Sequence, residues 1–157
     1  MKTRPLSWFA LLLAVIATVS LPHGAFGQTT GGPYKLFMVR PCRLVDTRTS
    51  MGATQLMGSA TQNITVKGAC GVPMTAKVAV INLIAVSPSE SGNVTAWAAG
   101  TAFPPTTTLV VNTGETAVGN GTIVSLGSST PDLSVVFGTA TGMGSCHLVI
   151  DVVGYFQ

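Results

Sequence analysis

Charge is what this chain has least of. Eight basic and five acidic residues make up 8% of 157 positions, against a typical share of about 25%. With a hydrophobic content of 46%, that balance excludes disorder sustained by charge repulsion. It also argues against a nucleic-acid partner, which needs a basic face able to displace counterions. Histidine is almost missing: His23 lies in the N-terminal apolar region, leaving His147 for the rest of the chain. One histidine builds neither a His-rich metal site nor a pair of histidine bases. After residue 27 no apolar run approaches the ~20 residues that a helical membrane span requires.

What is plentiful favours strands. Twenty-one threonines and 19 valines sit beside 18 glycines and 9 prolines, residues of pleated surfaces and of the turns between them. No ten-residue stretch carries helical periodicity.

The N-terminus reads as a signal peptide. Lys2 and Arg4 precede an apolar stretch from Leu6 to Leu21 that stops at Pro22, and Ala25-Phe26-Gly27 offers cleavage before Gln28, with cleavage after Ala25 as the near alternative. An uncleaved anchor is the competing reading, but the stretch is short for a span and contains Ser7, Thr18 and Ser20. The expected organisation is a signal peptide over 1–27, a flexible leader over 28–35 and one domain over 36–157. The expected location is extracellular or at the cell surface. Without Lys2 and Arg4 the net charge falls from +3 to about +1, a weak charge for the solubility of a free monomer. Assembly or glycan cover is the implied remedy.

Cys42, Cys70 and Cys146 all fall in the exported part, where disulfides persist. Three cysteines allow at most one intrachain pair. A Cys42–Cys70 bond would close a 28-residue separation, worth about 3.6 kcal/mol by loop-closure entropy. Cys146 would then be either a small buried residue of the last strand or an intermolecular bridge.

Along the exported chain, Tyr34–Arg40 is apolar on both faces, Arg43–Thr47 is short and extended, and Thr61–Lys67 alternates. Val78–Val86 (VAVINLIAV) is apolar except for Asn82 and predicts a central strand covered on both sides, with Asn82 needing buried partners. Asn93–Ala98, Leu109–Asn112, Thr122–Leu126, Leu133–Phe137 and His147–Val153 follow, with Gly119-Asn120-Gly121 read as a turn. The prediction is an all-β two-sheet sandwich, jelly-roll-like, of about eight to nine strands. A closed barrel ranks second and an outer-membrane barrel third.

The chemistry-bearing residues point away from catalysis. Ser145-Cys146-His147 sets a nucleophile beside a base, but neighbours on a strand face opposite ways. Asp46-Thr47 resembles half of an aspartic-protease motif, yet Arg48 stands where glycine is required and no second copy follows. An arginine partner would lower the Asp46 pKa, as in a structural ion pair. Asp46, Glu90, Glu115, Asp132 and Asp151 are the only carboxylates for glycosidase chemistry. Trp97 is the best candidate for stacking on a sugar, with burial in the core as the plainer alternative. Asn63, Asn93 and Asn120 each open an Asn-x-Thr sequon and are candidate glycan acceptors. No cofactor or metal site is expected.

Four ordered motifs together, Pro41-Cys-Arg-Leu-Val-Asp-Thr-Arg48, Gly68-Ala-Cys-Gly-Val-Pro73, Asn120-Gly-Thr-Ile-Val-Ser-Leu-Gly127 and Ile150-Asp-Val-Val-Gly-Tyr-Phe156, resemble a family of secreted bacterial β-rich domains. That family opens with P-x-R-x-x-D-T-R and closes with D-V-x-G-Y-F. The resemblance covers residues 36–156 and implies an exported β domain without an active site, often a module of larger surface proteins. It also implies Cys42–Cys70 as the disulfide. Cys146 and Ile84-Ala85 depart from the pattern.

These readings converge on a non-enzymatic secreted structural or surface-interaction protein. Arg43, Asp46 and Arg48 are expected to form a charged network, with Asp151 and Tyr155 anchoring the chain end. The expected partner is a second copy of the chain, joined by strand addition through residues 28–40 into a fibre or surface layer, unless that segment folds back on its own domain. A monomeric carbohydrate-binding module is the first alternative, and a small glycan-active hydrolase the second.

Overall fold

In the computed structural model, which describes residues 33–157, the run Val78–Val86 is a single strand whose residues alternate. Ala79, Ile81, Leu83 and Ala85 are buried, and the residues between them are half-buried. The same two-residue period sorts the rest of the chain into nine strands, with no helix among the described residues. They are β1 (Leu36–Asp46), β2 (Leu56–Met57), β3 (Gln62–Ile64), β4 (Val78–Val86), β5 (Gly92–Ala98), β6 (Leu109–Val111), β7 (Ala117–Ser125), β8 (Leu133–Thr139) and β9 (Ser145–Phe156). The expected signal peptide, 1–27, and the leader up to residue 32 lie outside the described residues.

Two antiparallel sheets result. One runs β1-β9-β4-β7, with β2 also pairing β9; the other runs β3-β8-β5-β6. The inward residues of both, among them Val45, Leu83, Val94, Phe137, Leu148 and Ile150, form the core of a β-sandwich. Burying each such side chain contributes about 1.5–3 kcal/mol relative to leaving it in water. No helix among the described residues is long and apolar enough to cross a membrane.

Several local expectations change. Tyr34–Arg40 and Arg43–Thr47 merge into β1, a strand kinked where Val39, Arg40 and Pro41 oppose the single residue Val153. Gly119-Asn120-Gly121, read as a turn, lies inside β7 opposite Ile84, Leu83 and Asn82 of β4, respectively. Gly119 serves packing there: a Cβ would stand 3.2 Å from the Ile84 side chain. β4 is central in its sheet but covered on one side, so Asn82 is half-exposed on the outward face instead of buried.

β3 is shorter than the alternating segment Thr61–Lys67 because a carboxylate replaces its ladder. Asp132, fully buried, accepts the Val66 and Lys67 backbone N–H groups at 2.9 and 3.0 Å. Its own carbonyl accepts from Gly127 and Ala99, and its N–H donates to Ile64. The buried Lys67 ammonium donates to the Gly127 carbonyl. No buried side-chain nitrogen or oxygen among the described residues is left without a hydrogen-bond partner.

Candidate functional site

Cross-strand register decides which side chains meet on the outward face of the five-stranded sheet. One row places Arg43 of β1, Asp151 of β9 and Asn82 of β4 side by side; the next places Asp46, Val149 and Ile84. The Arg43 guanidinium therefore reaches two carboxylates. It binds Asp151 through Nε and through Nη2 at 3.1 Å, and Asp46 through Nη1 at 3.1 Å. Arg48, in the tight turn after β1, closes on Asp46 from the other side through Nε at 2.8 Å, Nη2 at 2.6 Å and its backbone N–H at 3.2 Å. Bidentate pairing of this kind fixes geometry as well as charge.

The carboxylate at the centre is the shielded member. The Asp46 side chain is 9% exposed, against 41% for Arg43 and 48% for Arg48. Hydrogen bonds from Arg48 hold the Asp46 pKa well below the usual carboxylate range, and the Asp151 and Asp46 carboxylates raise that of Arg43. Beside the cluster, the Thr47 hydroxyl accepts the Leu148 N–H at 2.9 Å and lies 3.1 Å from His147 Nδ1. A carboxylate kept ionised by two arginines is a poor proton donor or shared-proton partner. This arrangement clasps the end of β1 to the middle of β9.

Tyr155 stands apart from this network. It points to the core side of β9 opposite Ala79 and stacks on Phe37 of β1, ring centroids 5.2 Å apart at 16°. It anchors the chain end through an aromatic pair, not through charge.

The other carboxylates are dispersed. Glu115 accepts the Asn112 N–H at 2.7 Å, which lowers its pKa, Glu90 accepts from the Thr141 hydroxyl, and Asp132 is the buried junction described above. Among the described residues no group of three His, Cys, Asp or Glu side chains is placed to hold a metal ion.

Cys42 and Cys70 are disulfide-bonded, with Cα atoms 5.6 Å apart, tying β1 to the 68–73 turn. Cys146 is buried in β9, and burial pushes its thiol pKa up to about 12. Its neighbour His147 lies on the opposite face, so the two do not form a nucleophile and base.

Trp97 is half-buried on the outward face of the four-stranded sheet, outside the core, and meets Phe103 edge to face at 5.3 Å. Phe103 is 61% exposed. Across the ladders, Trp97 opposes Ser134, which opposes Asn63 and donates to its side-chain carbonyl at 2.8 Å. Of the sequon residues, Asn63 and Asn120 are exposed and Asn93 is half-buried. The Asn120 amide donates to the Thr108 carbonyl at 2.8 Å.

Two features escaped the sequence reading. The Asp132 junction depends on contacts 65 and 66 residues apart, which no local pattern signals. The uncovered outward face of β4 was hidden because an apolar run is the mark of a strand covered on both sides. Leu36, Met38 and Ile123 on the same face are 51, 68 and 64% exposed. Compared with family models and with curated proteins, the sequence matches none.

Proposed function

We infer that the domain is a non-enzymatic, exported structural module that associates with copies of itself at the cell surface or outside the cell. The observation that carries this reading is the outward face of the five-stranded sheet. Leu36, Met38 and Ile123 are largely exposed beside half-buried Val78, Val80, Ile84 and Val86, an apolar surface of the kind that marks interaction sites. The low charge of the exported chain offers little opposition to association. The resemblance of the four sequence motifs to secreted bacterial β domains, and the signal-like N-terminus, belong to the same proposal.

The part of the expected joining segment that is described pairs within its own domain: Leu36, Phe37 and Met38 ladder with Phe156, Tyr155 and Gly154. Lys35 and Gln157 exchange backbone hydrogen bonds. Pro41 and the kink at Val39–Pro41 further blunt the outer edge of β1 against strand addition. The join is therefore sought elsewhere on the domain.

A carbohydrate-binding role is the second reading, favoured by the exposed Phe103 edge-on to Trp97. The hydrolase reading is the weakest, because Asp46 is locked between two arginines. Incubating the full exported chain with a panel of polysaccharides, while measuring its particle mass, separates the three. Self-association without turnover or glycan-dependent Trp97 quenching is expected. Turnover lost on Asp151→Asn without loss of folding would replace the structural reading with the enzymatic one.

A further inference from the structure

The strand β7 closes the five-stranded sheet at its far edge. Among the described residues it ladders with β4 alone, which leaves every second N–H and C=O along nine residues facing outward. Natural edge strands are usually blunted by lysine, proline or an inward charge. β7 has none of these: its sequence is Ala-Val-Gly-Asn-Gly-Thr-Ile-Val-Ser. The opposite edge, β1, carries Pro41, a kink and Arg40.

Gly121 lies at the centre of β7, with Val118 and Val124 equidistant from it and uncharged residues at the other positions. If a second β7 is laid antiparallel against the first with a twofold axis at Gly121, Ala117 opposes Ser125 and Val118 opposes Val124. Gly119 then opposes Ile123, and Asn120 opposes Thr122. Each pairing is complementary. Val118 and Val124 are both on the core side and partly or wholly buried. The Asn120 amide nitrogen already donates to the Thr108 carbonyl, which leaves its side-chain carbonyl to accept from the Thr122 hydroxyl of the facing strand. Ile123, 64% exposed, gains the space beside Gly119 on the outward face, which a side chain at 119 would fill. A strand that meets itself about a twofold axis must also avoid opposing like charges. β7, with no charged residue, meets that condition.

We propose that two copies of this chain join edge to edge through β7, antiparallel and centred on Gly121, so that their five-stranded sheets become one continuous sheet. The occupant of this edge is a second copy because the residue order satisfies itself under a twofold axis, a property that a foreign strand does not require. The proposal rests on the self-association reading above and supplies its joint. The continuous sheet also extends the apolar outward face, bringing Ile123 and Ile84 of each copy towards the partner. Asn120 sits at the join, so a glycan on that sequon and the β7 pair exclude each other.

The test uses the full exported chain with single cysteines introduced on β7. A Cβ at Gly121 has open space around it, so Gly121→Cys preserves the fold. On the twofold axis it faces its own copy at a separation suited to a disulfide. Ser125→Cys, which would face Ala117, serves as the control. Under mild oxidation Gly121→Cys should give a crosslinked dimer and Ser125→Cys should not. Ile123→Lys, which places a charge on the edge, should weaken association of the otherwise unaltered chain about tenfold or more. If the chain associates but both cysteine variants crosslink alike and Ile123→Lys changes nothing, the β7 joint is overturned while self-association stands on another surface. A wild-type chain that stays monomeric at every concentration overturns both. A glycan found on Asn120 in the native protein overturns the joint alone.

Discussion

Arg43 and Asp151 face each other across the β1–β9 ladder, and the same guanidinium extends along its own strand to Asp46. This one side chain couples the edge strand to its neighbour where the ladder has just been broken by the kink at Val39–Pro41. The cluster secures a weak point in the pairing of β1.

Acid should release that clasp. Asp46 has a folded-state pKa below its unfolded value, so its contribution is present above the unfolded pKa of about 3.9 and is lost as pH falls towards the folded value. Asp46→Asn should lower the melting temperature at pH 7. The gap between variant and wild type should then narrow steadily below about pH 4. Thermal unfolding followed by circular dichroism at both pH values checks this, and a gap independent of pH would remove the ion pairs from the account.

Loss of the Cys42–Cys70 bond should destabilise the domain by about 3.6 kcal/mol, the loop-closure value for its 28-residue separation. Cys42→Ser and Cys70→Ser should cost the same, and the double variant no more than either. Urea unfolding of the three proteins provides the comparison. Cys146→Ser should respond differently, since it places a hydroxyl in the core at a cost of about 1–3 kcal/mol.

Asp132→Ala removes the acceptor for two buried backbone N–H groups, at about 1–3 kcal/mol for each group left unpaired. Asp132→Asn retains one carbonyl oxygen and should lose less. Hydrogen exchange at the Val66 and Lys67 amides reads the effect directly: both should accelerate in the alanine variant.

Leu148 is fully buried between the sheets. Leu148→Ala should cost about 2–5 kcal/mol, the transfer free energy plus that of the cavity left behind. Trp97→Ala, on an outward face, should cost less, and comparing the two by chemical denaturation checks the assignment of Trp97 to the outside of the sandwich.

The class of fold was legible because valine-rich runs of strand length bounded by glycine and proline turns leave few other solutions. Val78–Val86 was read with its true bounds for that reason. The grouping of Asp46 with Arg43 and Arg48 was also legible, since all three lie within six positions. Asn120 misled because an Asn-Gly pair flanked by β-formers is a strong hairpin signal. Here a Cβ on the flanking Gly119 would stand 3.2 Å from the Ile84 side chain on the neighbouring strand, a close contact visible only in the sheet. Tyr155 misled because its place in the closing motif beside Asp151 suggested a shared role, whereas the extra residue Val153 in the β4–β9 ladder puts the two on opposite faces of β9. It turns Tyr155 towards Phe37 instead.

Sedimentation equilibrium of the chain from residue 28 onward, over a wide concentration range, decides whether the domain associates with itself. A concentration-dependent rise from monomer to dimer or higher species is expected, suppressed by Ile123→Lys and unaffected by Asp151→Asn in a folded protein. A single monomeric species throughout, with the apolar outward face of the five-stranded sheet left in water, would contradict it.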